Sequence, residues 1–211
     1  MKGLLIKDLY TLKGFSRQYV LVVAFMIVFA FFSRNLAFFI IYAMVLSGMM
    51  VVSTLSIDET VHFDRWTICS PAGSKGLVLE KYILLLIMIV TGIVVGLLAD
   101  LIMVKVITDT YSSEWESVLI SALLFVIADA VMLPIHFKLG VEKARYVYMA
   151  TIFAIAFLAA GIFVILDKAG IAAEEFVTDS PAFPVILIGI GALALAVSYK
   201  ISLKAVRTRE W

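Results

Sequence analysis

The sequence predicts an all-α integral membrane fold with six transmembrane helices, and three observations carry that prediction. Hydrophobic residues make up 64% of the 211 and charged residues only 16%, against roughly half and about a quarter in a soluble domain. Mean hydropathy is +1.10. The apolar residues fall into six runs, each close to the length that crosses a bilayer. At this length the chain makes one membrane domain over residues 1–211.

Residues 1–17 precede any spanning run. Leu4, Leu5, Leu9 and Leu12 share one helical face and Lys2, Thr11 and Lys13 lie off it, which predicts an amphipathic helix in the membrane interface. The alternative, the start of a signal peptide, is disfavoured by Asp8 and by the lack of an A-x-A site. Residues 18–57 hold the first two spans: Val20 to Phe32, extended by Gln18, Tyr19 and Ser33, and then Leu36 to Ile57 after a tight turn at Arg34-Asn35. Residues 82–203 hold the other four, at Tyr82–Val104, Val118–Phe137, Tyr146–Leu166 and Phe183–Leu203, and 204–211 form a tail.

Lys and Arg set the orientation. With the N-terminus in the cytoplasm only Arg34, Lys105 and Lys168 lie outside, and the other fourteen of seventeen lie inside. Both termini, and the segment 58–81, are then cytoplasmic. The outer loops are acidic instead: Asp109, Glu114 and Glu116 in Lys105–Ser117, and Glu174, Glu175 and Asp179 in Asp167–Pro181, the second of which has room for a short re-entrant helix.

Functional motifs are mostly excluded. There is no Gly-rich phosphate loop, no GxSxG and no HExxH, and the single cysteine, Cys69, rules out an internal disulfide and offers no metal cluster. His62 and His136 read as polar residues at the cytoplasmic ends of spans. Asp129, within the fourth span, and Asp100, toward the outer end of the third, are the intramembrane polar candidates. Asp129 reads as a group bonded to a neighbouring helix or facing a wet cavity, and Asp100 as a snorkelling acid; neither is assigned catalysis. Gly92 and Gly96, and Ala192 and Ala196, have the spacing that lets helices approach closely, within a chain or between two copies. Pro134 predicts a kink near the cytoplasmic end of the fourth span.

The most informative stretch is DETVHFDRWTICSPAGSKGLVLEKY, Asp58 to Tyr82. A bare connection between spans needs only a few polar residues. This one mixes acids, bases and the aromatic pair Phe63 and Trp66, then breaks at Pro71 and Gly73, so it reads as a segment that meets a partner. The alternative is a loop packed back on the chain's own surface.

Asp58-Glu59, Phe63-Asp64-Arg65, Pro71, Lys75, Val78 and Lys81-Tyr82, with the opening MKGLLIKDL, resemble the permease subunits of ABC transporters of the second type (ABC-2), particularly the short six-span bacterial ones that export bacteriocins or amphipathic peptides. The matches cover roughly the first 85 residues. The turn Pro71-Ala72-Gly73-Ser74, and Phe63 where the family usually has Trp, depart from the pattern. The resemblance implies that residues 58–81 form a coupling helix on which a separate ATPase docks through Asp58, Glu59, Phe63, Asp64, Arg65 and Trp66. It also implies a second permease copy or sister chain, with ATP and Mg on the partner ATPase and no cofactor on this chain. No nucleic-acid partner is implied. The function expected is export of an amphipathic or hydrophobic cargo (peptide, bacteriocin, toxic small molecule or lipid) across the bacterial cell membrane, without enzymatic activity on this chain. The rival reading is a proton-coupled secondary carrier in which Asp129 and Asp100 relay protons. An intramembrane enzyme or an assembly factor is a third, for which no catalytic constellation speaks.

Overall fold

The computed structural model describes residues 2–33, 37–71, 73–106, 115–168 and 183–208, and these are helical apart from short turns. The helices are α1 (Lys2–Ser33), α2 (Ala37–Thr60), α3 (Phe63–Cys69), α4 (Gly73–Val106), α5 (Trp115–Leu139), α6 (Val141–Lys168) and α7 (Phe183–Thr208). Each expected apolar run lies on one of them. Among the described residues four stretches are long and apolar enough to cross a membrane: Ile41–Thr60, Gly73–Ile102, Val118–Leu139 and Ile188–Thr208. A fifth is added if the two halves of α1, Gly3–Phe15 and Arg17–Phe29, bent by 60°, make one span. The turn at Arg34-Asn35, the acids Asp109 and Glu114, and the re-entrant helix expected in Asp167–Pro181 lie outside the described residues, apart from the last residues of α6.

α5 is the centre of the bundle, packed against α2, α4, α6 and α7. One apolar cluster joins Leu55 of α2, Leu77 and Leu85 of α4, Leu133 and Phe137 of α5 and Tyr148 of α6; a second, toward the other end, joins Phe39, Met44, Val118 and Phe125. The glycines of the third span serve this packing within the chain. A Cβ on Gly92 would stand 3.1 Å from Met44 Sδ of α2, and one on Gly96 would stand 3.2 Å from Val118 Cγ1 of α5. Ala192 and Ala196 instead lie on the exposed side of α7. Outward-facing Phe25, Phe29, Phe153, Phe157 and Leu193 are more than half exposed, as expected of a chain whose outer solvent is lipid.

Pro134 sits inside α5 without ending it. A proline has no N–H, so the carbonyl four residues earlier, that of Ala130, loses its helical donor. In hydrocarbon that oxygen needs another partner. Ser198 of α7 supplies it, its hydroxyl donating to Ala130 O at 2.5 Å. With the Ser198 hydrogen committed there, Tyr82 of α4 donates to Ser198 Oγ at 2.5 Å, and Ser202 donates to Tyr82 Oη at 2.9 Å. Tyr199 packs edge-on against Tyr82 with ring centroids 5.5 Å apart. The polar residues at i and i+4 of α7 therefore bind α4 and α5 together.

Ser198→Ala should lower stability in detergent by about 1–2 kcal/mol, because it orphans a buried carbonyl. Pro134→Ala in the same chain should recover most of that loss by restoring the helical donor. Thermal unfolding of the two single variants and the double variant measures both effects; additive losses would contradict the assignment.

Candidate functional site

Residues 58–82 form a compact corner rather than an open loop. α2 ends at Thr60, and His62 takes a left-handed conformation (φ 53°) to turn the chain into α3. This is a region that histidine enters more readily than most side chains. α3 closes with Ser70 Oγ donating to Thr67 O at 2.6 Å, and Gly73 N then donates to Ser70 O at 3.0 Å. Gly73 has φ +58°, so glycine is favoured there. α4 starts at Gly73, nine residues before the expected span, so much of the expected linker is helix.

Lys81 lies at the heart of this corner, with its side chain fully buried. Its ammonium donates to Asp8 Oδ2 of α1 at 2.7 Å and to Asp58 Oδ2 of α2 at 2.5 Å. Lys7 of α1 closes the ring, 2.5 Å from Asp58 Oδ1 and 2.9 Å from Asp8 Oδ1. Glu80 is buried beside it, with Oε1 3.9 Å from Lys81 Nζ. A buried ion is tolerated only where partners replace its water, and here two cations and two carboxylates on three helices pair with one another. Burial alone raises the Asp8 carboxyl, but Lys81 and then Lys7 outweigh it and hold it below its ordinary 3.8.

The six residues expected to dock a partner divide. Arg65 and Trp66 face out, Trp66 being 78% exposed, and Val61, in the turn before α3, is 62% exposed. Phe63 is half-buried with the Lys7 ammonium 3.9 Å above its ring, a cation–π contact. Asp58 and Asp64 are buried. Glu59 accepts a hydrogen bond from Val141 N of α6 at 2.6 Å. Asp58 and Glu59 are therefore turned into the chain's own fold, and Phe63 half so, because the cations and the free backbone donor they meet belong to α1, α4 and α6; Asp64 is buried on the inner face of α3.

Asp129 and Asp100 are both buried, at 2% and 3% exposure. For Asp100 this replaces the expected snorkelling, and His136, expected at the interface, is buried against Phe137. A Cβ on Gly48 of α2 would stand 2.9 Å from Asp129 Oδ1 and within contact of the Tyr148 hydroxyl, so Asp129, Tyr148 and Gly48 converge. The two aspartates occupy different layers. Ala130, next to Asp129, is tied through Ser198 to Tyr82, and Asp100 lies 18 residues beyond Tyr82, about 27 Å along α4.

Sequence reasoning had not linked Lys7 and Asp8 to Lys81, nor Tyr148 to Asp129. The available signal was an adjacent opposite-charge pair, Lys7-Asp8, in a segment otherwise read by its leucines. In the fold Leu12 and Asp8 face the protein while Ile6, Leu9 and Tyr10 are exposed.

Asp58→Asn and Lys81→Met should each cost about 3–5 kcal/mol, since each strands a buried opposite charge. Lys7→Ala should cost about 1 kcal/mol or less, because Lys7 is partly exposed. Asp8 contributes stability that is present above 3.8 and is lost as pH falls through its lowered value. The unfolding midpoint should therefore drop as pH falls below about 5 and on through the lowered Asp8 value, and drop less in Asp8→Asn.

The chain matches the family model described as ABC-2 family transporter protein over residues 3–207. No curated protein and no solved structure gives a match. The match takes in α1, the buried ion cluster, the α3 corner and the α7 hydroxyl pair alike, and so the chain belongs to the ABC-2 family of transporter proteins, as a multi-pass membrane permease.

Proposed function

We propose that this permease subunit works in an ATP-driven exporter, as six spans with both termini in the cytoplasm, paired with a second permease copy or a sister chain. Two ATPase subunits, which hold the ATP and Mg, dock on α3 from the cytoplasm. The cargo is amphipathic or hydrophobic, a peptide, bacteriocin, toxic small molecule or lipid, and moves outward across the bacterial cell membrane. The placement of positive charge supports the orientation, with fourteen of seventeen Lys and Arg on the side of α3.

The observation that carries the docking role is the contrast between the two faces of α3. Its inner face holds buried Asp64 and Thr67, and its outer face leaves Trp66 78% exposed beside Arg65. A large aromatic left in water on a short, internally anchored helix is the kind of residue that anchors a protein interface. The docking contact accordingly narrows to Trp66, Arg65 and Val61, while Asp58, Glu59, Phe63 and Asp64 hold the helix from behind. The depth difference between Asp100 and Asp129 works against a proton relay joining them.

Trp66→Ala should reduce the ATPase recovered with the permease from native membranes by about tenfold or more. The unfolding midpoint of the permease alone should stay unchanged, because the side chain packs on little of its own fold. Undiminished recovery of the ATPase would contradict the docking role.

A further inference from the structure

Asp58 and Glu59 are neighbours on the last turn of α2, and a helix turns by about 100° per residue, so their carboxylates leave in different directions. Asp58 goes to Lys7 and Lys81. Glu59 goes to Val141, the first residue of α6, whose N–H has no partner within its own helix. A carboxylate there also meets the positive end of the α6 dipole.

The chain has not placed this cap locally. The residue before Val141 is Gly140, with no side chain to offer and φ +89°. It ends α5 by donating its N–H to His136 O at 2.9 Å. A Cβ at Gly140 would stand 2.6 Å from Glu59 Oε1, so glycine serves both the backbone and the space the carboxylate needs. Gly140 therefore offers α6 no side-chain cap of the kind a Ser or Asp supplies at a helix start. Instead the cap comes from a residue 82 positions away, one residue before the end of α2, where the chain turns into α3.

α2 and α6 meet again at Gly48 and Tyr148, where a Cβ on Gly48 would collide with the tyrosine hydroxyl. The two contacts are 11 residues apart on α2 and 7 apart on α6, about 16 Å and 10 Å of helix. Two fixed points hold one helix at a set angle to the other, where a single point would act as a pivot.

We infer that Glu59 is a positioning residue that straps the α5–α6 corner to the α2–α3 corner, so that a displacement of α3 is delivered to α6 as well as to α1 and α4. This rests on the reading of α3 as the ATPase-docking helix. Glu59 touches neither cargo nor nucleotide. It sets which helices move as one body.

Two measurements test it. In the isolated permease in lipid nanodiscs, Glu59→Ala should speed amide exchange at Val141 by about tenfold or more. Glu59→Asp, one methylene shorter, should do the same in part, and Glu59→Gln, whose amide oxygen still accepts, should restore protection. Unchanged exchange in Glu59→Ala overturns the contact. In the permease–ATPase complex captured from native membranes, spin labels at Lys75→Cys, just after α3, and Lys143→Cys in a Cys69→Ser chain report the distance from the α3 corner to α6. Adding ATP and vanadate should leave that distance fixed with Glu59 or Gln present, and change or broaden it with Ala. A distance that changes with Glu59 intact, or stays fixed in Glu59→Ala, overturns the strap. Capture of no ATPase at all instead overturns the docking reading and the strap's role in it, while the exchange result still decides whether the contact exists.

Discussion

A lysine ammonium with no access to water is the constraint on which this corner of the molecule depends. Lys81 is fully buried between Asp8 and Asp58, and removing either carboxylate leaves a charge with too few partners in a medium that penalises it. Helix α1 can therefore leave α4 only by breaking that arrangement, and so can the end of α2. Lys7 extends the tie to α3 through the face of Phe63. A stripe of leucines holds an interfacial helix near a membrane in many rotational settings. One ion pair from Asp8 to the buried lysine and a second from Lys7 to Asp58 hold it in one.

Lys81 and Tyr82 divide their work in the same way as Asp58 and Glu59. Lys81 reaches α1 and α2, while Tyr82, next in sequence, reaches Ser198 and Ser202 of α7 and, through Ser198, the Ala130 carbonyl of α5. Glu59 adds α6. Two dipeptides at the ends of the α3 corner are thus linked to every long helix of the described chain, to α5 through Ser198. Such a corner suits a part that receives force, because a push on α3 meets a body with few independent joints. The apolar contacts deeper in the bundle are non-directional and leave more freedom to slide.

The class of fold and the importance of residues 58–82 were legible because they rest on composition and on an interruption in hydropathy, both local signals. The partners were not. Lys81 finds Asp8 across 73 residues, Lys7 finds Asp58 across 51 and Glu59 finds Val141 across 82, and nothing periodic in the chain says which faces of two helices will meet. The resemblance implied docking by the acidic pair, and nothing local in the sequence showed that Asp58 meets Lys7 and Lys81 and that Glu59 meets a backbone N–H of α6. Pro134 showed a missing donor plainly, but the hydroxyl that replaces it is on another helix, 68 residues from Ala130. Gly92 and Gly96 suggested close packing, and the fold shows which helices they admit.

The most direct measurement uses the chain's single cysteine, Cys69, which is exposed at the end of α3. A membrane-impermeant maleimide should label Cys69 in inverted vesicles and not in right-side-out ones, and the assembled ATPase should shield it. Labelling from the outer side, or labelling on the inner side that is indifferent to the ATPase, would contradict the account of α3 as an inward-facing handle held by its buried charges.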